Sequence, residues 1–138
     1  MQRYCTVCNK SISYNSISGL CQQCSIETRR AAKIEAWLTS GEAGMKVDTT
    51  IRGVIREYIL DSQNHSCAIC GISDTWNNKK LNFILDHIDG NASNSSPSNI
   101  RLICPNCDSQ LDTYKSKNKN SARTKRKKYL QEIRKLNK

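Results

Sequence analysis

The chain has 138 residues, a net charge of +10 and only 37% apolar residues with a single Phe. That is about one domain by length, with too little apolar material for a large core, so some other device must hold it together. The charge is uneven: from Lys115 to Lys138 there are eleven Lys/Arg against one acid, Glu132, while residues 1 to 114 balance at eleven against eleven. A basic arm of this kind points to a polyanionic partner, DNA or RNA, with a solubilising tail as the plainer reading.

The eight cysteines fall into four Cys-x-x-Cys pairs, Cys5/Cys8, Cys21/Cys24, Cys67/Cys70 and Cys104/Cys107. Two such pairs make one tetrahedral four-thiolate site, so the count predicts two structural Zn²⁺ ions. The alternative, a disulfide framework, calls for an oxidising compartment and a secretory signal. The opening MQRYCTVCNK has no apolar core of a signal, and no apolar run is long enough to span a membrane. A cytoplasmic location is the expectation, the host cytoplasm if the chain is phage-encoded.

In chain order, residues 1–24 read as an N-terminal zinc ribbon, with twelve residues between Cys8 and Cys21 that include the turn formers Asn15 and Gly19. A unit that small folds only with its metal. Residues 25–62 read as a helical connector. Its first helix is expected from Ser25, as N-cap, to Leu38, with Ile34, Trp37 and Leu38 on one stripe. Gly41 and Gly44 break it. A second helix is expected from Asp48 to Leu60, where Ile51, Val54, Ile55, Tyr58 and Ile59 recur at helical spacing and mark a core-facing stripe rather than a base-reading one. Trp37 and Trp76 read as core or loop anchors rather than base-stacking platforms.

Residues 63–118 hold the chemistry. Asn82 to Leu85 is expected as a strand, Ile88 to Ser98 as a polar loop, and Ile100 to Ile103 as a second strand, with a short helix after Cys104 and Pro105. Lys115 to Thr124 lacks a period and reads as a linker. Residues 119–138 form the basic tail, in which Tyr129, Ile133 and Leu136 space a helix from Lys125 to Leu136 and Lys125, Arg126, Lys127 and Lys128 are the expected DNA contacts.

Between the third and fourth cysteine pairs stands Asp86-His87, then eleven residues and Asn99; the fourth pair reads Cys104-Pro-Asn-Cys107-Asp108. This stretch, LDHIDGNASNSSPSNIRLICPNCDSQ, resembles the HNH (ββα-metal) endonucleases, and within them the zinc-bound members of phage and homing type. The resemblance implies an α+β fold, small and zinc-stabilised, with a ββα-metal core. It also implies a role for each matching residue: His87 as general base toward the attacking water, Asn99 as the amide that orients the imidazole, and Asp86 and Asp108 as ligands of a catalytic Mg²⁺ or Mn²⁺. Phosphodiester hydrolysis of DNA, leaving 5′-phosphate and 3′-hydroxyl ends, is the implied reaction.

At position 108 the family has His or Asn. A carboxylate suits hard cations, so coordination can survive the change; otherwise Asp108 marks an inactive site, or Asn118 or Asp89 supplies the ligand. Phosphodiester cleavage needs an activated water and a cation to neutralise charge on the phosphoryl and leaving oxygens, and a His with a pKa near 6.5 serves as base at neutral pH. His65, the other histidine, precedes Cys67 in an expected turn and reads as a surface residue. The zinc held by Cys67, Cys70, Cys104 and Cys107 is structural, since four thiolates leave no open position. The competing function is a catalytically inactive, zinc-stabilised DNA-binding or assembly module; an RNA-binding zinc protein fits less well, because the aromatic interleaving of single-strand binders is missing. One site per chain cuts one strand per visit, in a monomer or a homodimer.

Overall fold

The computed structural model describes residues 2–41 and 53–136. In chain order it has a hairpin of β1 (Arg3–Tyr4) and β2 (Ser11–Ile12), helix α1 (Gln22–Ser40), helix α2 (Val54–Ser62), a small hairpin of β3 (Thr75–Trp76) and β4 (Lys79–Lys80), strands β5 (Ile84–His87) and β6 (Ile100–Ile103), and helices α3 (Pro105–Gln110) and α4 (Ala122–Leu136). All three strand pairs are antiparallel and two-stranded. It is a small mixed α/β structure with two four-cysteine clusters.

Helix α1 begins four residues earlier than Ser25 as N-cap would place it. Its cap is Cys21, whose Sγ accepts the Cys24 N–H at 3.4 Å. A sulfur counted only as a metal ligand in the sequence thus doubles as the acceptor that the first turn of a helix needs. Gly41 ends the helix at φ +70, its N–H bonded to Trp37 O, the left-handed stop that glycine makes without steric cost. The same capping recurs at α3, where Cys104 Sγ accepts the Cys107 N–H at 3.4 Å and Pro105 occupies the first turn.

Of the second expected helix, Asp48 to Arg52 lie outside the described residues; α2 runs from Val54 and buries Ile55 and Ile59. The stripe faces the core. Trp37 from α1, Ile55 and Ile59 from α2, Phe83, and Ile100, Leu102 and Ile103 from β6 form one cluster, joined by Cys67 and Cys104. Trp37 stands edge-on to Tyr58, with ring centroids 6.2 Å apart, and its indole N–H donates to Ser95 O at 2.7 Å. It is an anchor, whereas Trp76 sits exposed on the β3–β4 hairpin.

The β5–β6 ladder is the frame of the site. Its register pairs Ile84 with Ile103, Leu85 with Leu102, Asp86 with Arg101 and His87 with Ile100. Strand β5 therefore starts two residues later than hydropathy suggested and takes in the polar Asp86-His87 pair, because the opposite strand supplies a cation for the carboxylate. The outer edge of β6 is closed by a side chain. The Gln63 amide donates to Leu102 O at 2.8 Å and accepts the Leu102 N–H at 2.9 Å, standing in for a third strand and satisfying both backbone groups. Helix α4 begins at Ala122, three residues before the expected start, because Ser121 Oγ accepts the Thr124 N–H at 3.1 Å and caps it. Among the described residues no helix is long and apolar enough to cross a membrane.

Candidate active site and metal centres

The two cysteine clusters are complete. In each, one sulfur per cysteine lies within 4.8 Å of all the others, Cys5, Cys8, Cys21 and Cys24 in the first and Cys67, Cys70, Cys104 and Cys107 in the second. Sulfurs on a tetrahedral zinc with bonds of about 2.3 Å stand roughly 3.8 Å apart. The Cys8–Cys21 and Cys70–Cys104 separations are 3.6 and 3.7 Å, so both sets fit the ion. Backbone N–H groups point at the sulfurs, as Cys104 N does at Cys67 Sγ, 3.2 Å away. Such donors hold the Cys5 thiol down to about 6, the groups of Cys21 and Cys8 acting most strongly. At Cys67 burial opposes them, yet the N–H groups of Cys70, Cys104 and Ile69 prevail and bring it to about 6 as well. Burial and the adjoining sulfurs push Cys107 up to about 12. Four thiols that compete in this way are relieved when a dication lets all of them ionise.

The second cluster is tied to the elements that carry the Asp-His motif: Cys104 follows β6 at the Ile84 end of the ladder, opposite the His87 end, and Cys107 lies in α3, which packs against β5. Asp86 and His87 end β5. Asp86 is buried, 7% exposed, and its Oδ2 accepts a hydrogen bond from Arg101 Nε at 2.7 Å. A carboxylate that deep needs such a partner. No hydrogen bond is made to its Oδ1 among the described residues. Arg101 is a site residue that the sequence reading missed; the signal was available only once the register set it opposite Asp86.

His87 is half-buried, and this burial lowers its pKa from the ordinary 6.5 against the opposing pull of Asp89 and Asp86. That direction favours the neutral imidazole, the form able to accept a proton. Asp108 lies in α3, half-buried, with its carboxyl raised by burial and by the Asp86 charge, and with Lys115 pulling the other way. The two carboxylates feel each other across the β5–α3 contact, and a cation between them would relieve that repulsion. Among the described residues only the cysteine sets gather three or more ligand atoms within 4.8 Å of one another.

Asn99, 8% exposed, uses its whole amide on the loop that follows His87. Its Oδ1 accepts the Asp89 N–H at 3.0 Å, and its Nδ2 donates to Asp89 Oδ1 at 2.9 Å and to Asn94 O at 2.8 Å. Asn99 O also accepts the Ile88 N–H at 2.9 Å. Asp89, weighed in the sequence as a spare ligand, is committed here: besides Asn99 it accepts from Asn91 N and Asn94 Nδ2, each at 2.8 Å. Burial works to raise its pKa, but those bonds outweigh it and hold the carboxyl low. Asn118 is committed as well, donating to Gly90 O at 2.9 Å. His65 bridges Asp74 and Asp61 at 3.1 and 3.2 Å and braces the turn before Cys67. Lys125, Arg126, Lys127 and Lys128 all stand exposed on α4.

Comparison with known proteins bears on this arrangement. Over 54 residues, 39% of the chain, the sequence is 39% identical to the H-N-H endonuclease F-TflIV of Escherichia phage T5. The resemblance is to an HNH endonuclease. The matched stretch spans 23% of that relative's length, so the two share a segment rather than a whole architecture. No family model matches the chain, and no solved structure matches it significantly.

Proposed function

We propose that the protein is a metal-dependent HNH DNA endonuclease, with residues 63–118 as its ββα-metal core, residues 1–24 as a zinc ribbon joined to it by residues 25–62, and residues 119–138 as a basic DNA-binding tail. The single observation that carries the reading is the grouping of Asp86 and half-buried His87 at the end of β5 with Asp108 on α3, which packs against that strand, the Asp86 charge acting on the Asp108 carboxyl.

The division of labour follows from the surroundings of each group. His87 takes a proton from the attacking water at a ring nitrogen, and its desolvated setting keeps it unprotonated until that step. The Asn99 amide holds the turn at Asp89, so the backbone leaving His87 cannot swing and the ring stays aimed. Asp86 and Asp108 would hold Mg²⁺ or Mn²⁺, whose chemistry is to neutralise charge on the phosphoryl and leaving oxygens. Arg101 holds Asp86 in place through its Nε–H. The two cysteine sets hold structural zinc, and Lys125, Arg126, Lys127 and Lys128 contact DNA phosphates. By likeness to its relative the enzyme is of phage or homing type and works in a host cytoplasm.

A second reading, a DNA-binding or assembly module without cleavage, is favoured by two features: Arg101 already pairs with Asp86, and position 108 lacks the family's His or Asn. Substitution at Asp108 separates the two. Under the nuclease reading Asp108→Ala loses roughly a hundredfold or more in cleavage rate, while Asp108→His and Asp108→Asn retain activity, the His variant gaining relatively with Mn²⁺, Co²⁺ or Ni²⁺. A parent inert with every cation, beside an active Asp108→His, would establish the second reading.

A further inference from the structure

The stretch between α3 and α4 has the composition of a linker, but its hydrogen bonds are those of a clamp. Asn118 Nδ2 donates to Gly90 O at 2.9 Å, and Asn120 Nδ2 donates to Asp89 O at 3.1 Å. The two amides are fixed to each other, because Asn118 Oδ1 accepts the Asn120 N–H at 2.9 Å. Thr124 Oγ1, inside the first turn of α4, donates to Asn118 O at 2.9 Å. With Ser121 capping the same turn, α4 is bonded without interruption to the loop that leaves His87.

Gly90 shows how closely the two segments meet. It sits at φ +71, and a Cβ there would stand 2.7 Å from Asn118 Oδ1 and 3.0 Å from Thr113 Cγ2. Any side chain there would have to push the Asn118 amide aside and take up a left-handed conformation that favours glycine. The Gly90 N–H in turn donates to His87 O at 2.7 Å. The Asp89 peptide is therefore gripped from both ends, its N–H by Asn99 and its carbonyl by Asn120.

We propose that Asn118 and Asn120 are positioning residues that fasten the basic helix α4 to the loop leaving His87, so that DNA held by the helix reaches His87 in a fixed register. This rests on the nuclease reading for its chemistry, and on the hydrogen bonds alone for the clamp. A loosely tethered arm would raise the local concentration of DNA but leave its orientation free. A clamped helix adds orientation. After Arg123, its basic run Lys125 to Lys128 lies about 5–9 Å along the axis from Ala122, where the clamped turn begins.

The test uses the full chain with its zinc. In the double variant Asn118→Ala/Asn120→Ala, the dissociation constant for a short labelled DNA duplex should stay within about threefold, since the phosphate-contacting charges are untouched. Single-turnover cleavage of plasmid at saturating protein should fall roughly ten- to a hundredfold, the cost of a misplaced strand. Amide order parameters of α4 should drop from about 0.85 to below about 0.6. A second variant, with four Gly/Ser residues inserted between Asn120 and Ser121, leaves both amides and the α4 cap in place and should show the same separation of binding from cleavage; it decides the matter if the double variant loses zinc. Order parameters that do not change, cleavage that persists after the helix is freed, or binding and cleavage that fall together would each overturn the proposal. A parent that cuts nothing defeats the nuclease reading instead, and the order parameters then judge the clamp by themselves.

Discussion

The two cysteine clusters use the same four-thiolate chemistry in unlike settings. Around the first, Cys5 and Cys24 are the buried residues of the ribbon, while Tyr4, Val7, Tyr14 and Ile17 stand exposed. Around the second, Cys67 and Cys104 belong to a cluster with Ile55, Leu102, Ile103 and Phe83. In the ribbon the ion would be the only interior there is; in the core it joins a helix and a ladder that already share apolar surface. One motif can therefore supply the whole interior of a ribbon in one place and join an existing apolar core in another.

That comparison can be broken by removing one ligand from each side. A structural zinc is worth about 10–16 kcal/mol of folding free energy in small zinc domains, and each buried Ile or Leu roughly 2 kcal/mol. Cys67→Ser should therefore strip the core ion and abolish cooperative thermal unfolding together with any cleavage. Cys5→Ser should lower zinc from about two to about one per chain and disorder only the ribbon, leaving the core transition in place by circular dichroism and elemental analysis. If Cys5→Ser melted the whole protein, the ribbon would be part of one cooperative unit and the contrast would fail.

A smaller effect sharpens the contrast between the body and its basic helix. Deleting residues 125–138 removes seven Lys/Arg and one Glu while sparing the Asn118 and Asn120 bonds. Non-specific DNA affinity should fall by roughly one to three orders of magnitude at moderate salt, and the slope of log affinity against log salt should flatten, as measured by fluorescence anisotropy. An unchanged slope would move the phosphate contacts to the ribbon or the core.

The two four-cysteine clusters were legible because paired Cys-x-x-Cys spacing is dictated by ligand geometry, whatever the bounds of the helices. The α2 stripe, Ile55 and Ile59 included, was legible for a similar reason: its period is that of the helix. What escaped was the chemistry created by pairing. Nothing along the chain links Asp86 to Arg101, or Asn118 to Gly90, because each bond depends on a register or a loop closure that joins residues fifteen and twenty-eight positions apart. Helix starts were missed at Cys21 and Ala122 for a local reason, since sulfur acted as a cap in one and Ser121 as a cap in the other. Strand β5 was set two residues early because hydropathy alone does not see a buried ion pair.

The most direct test of the nuclease reading is incubation of supercoiled plasmid with purified zinc-loaded protein and Mg²⁺ or Mn²⁺, beside His87→Ala. The parent should convert the plasmid to nicked or linear DNA, and the variant should lose at least about a hundredfold in rate while keeping its zinc, its melting transition and its DNA affinity. Undiminished cleavage by His87→Ala would contradict the assignment of the base, and with it the role given to this end of the β5–β6 ladder.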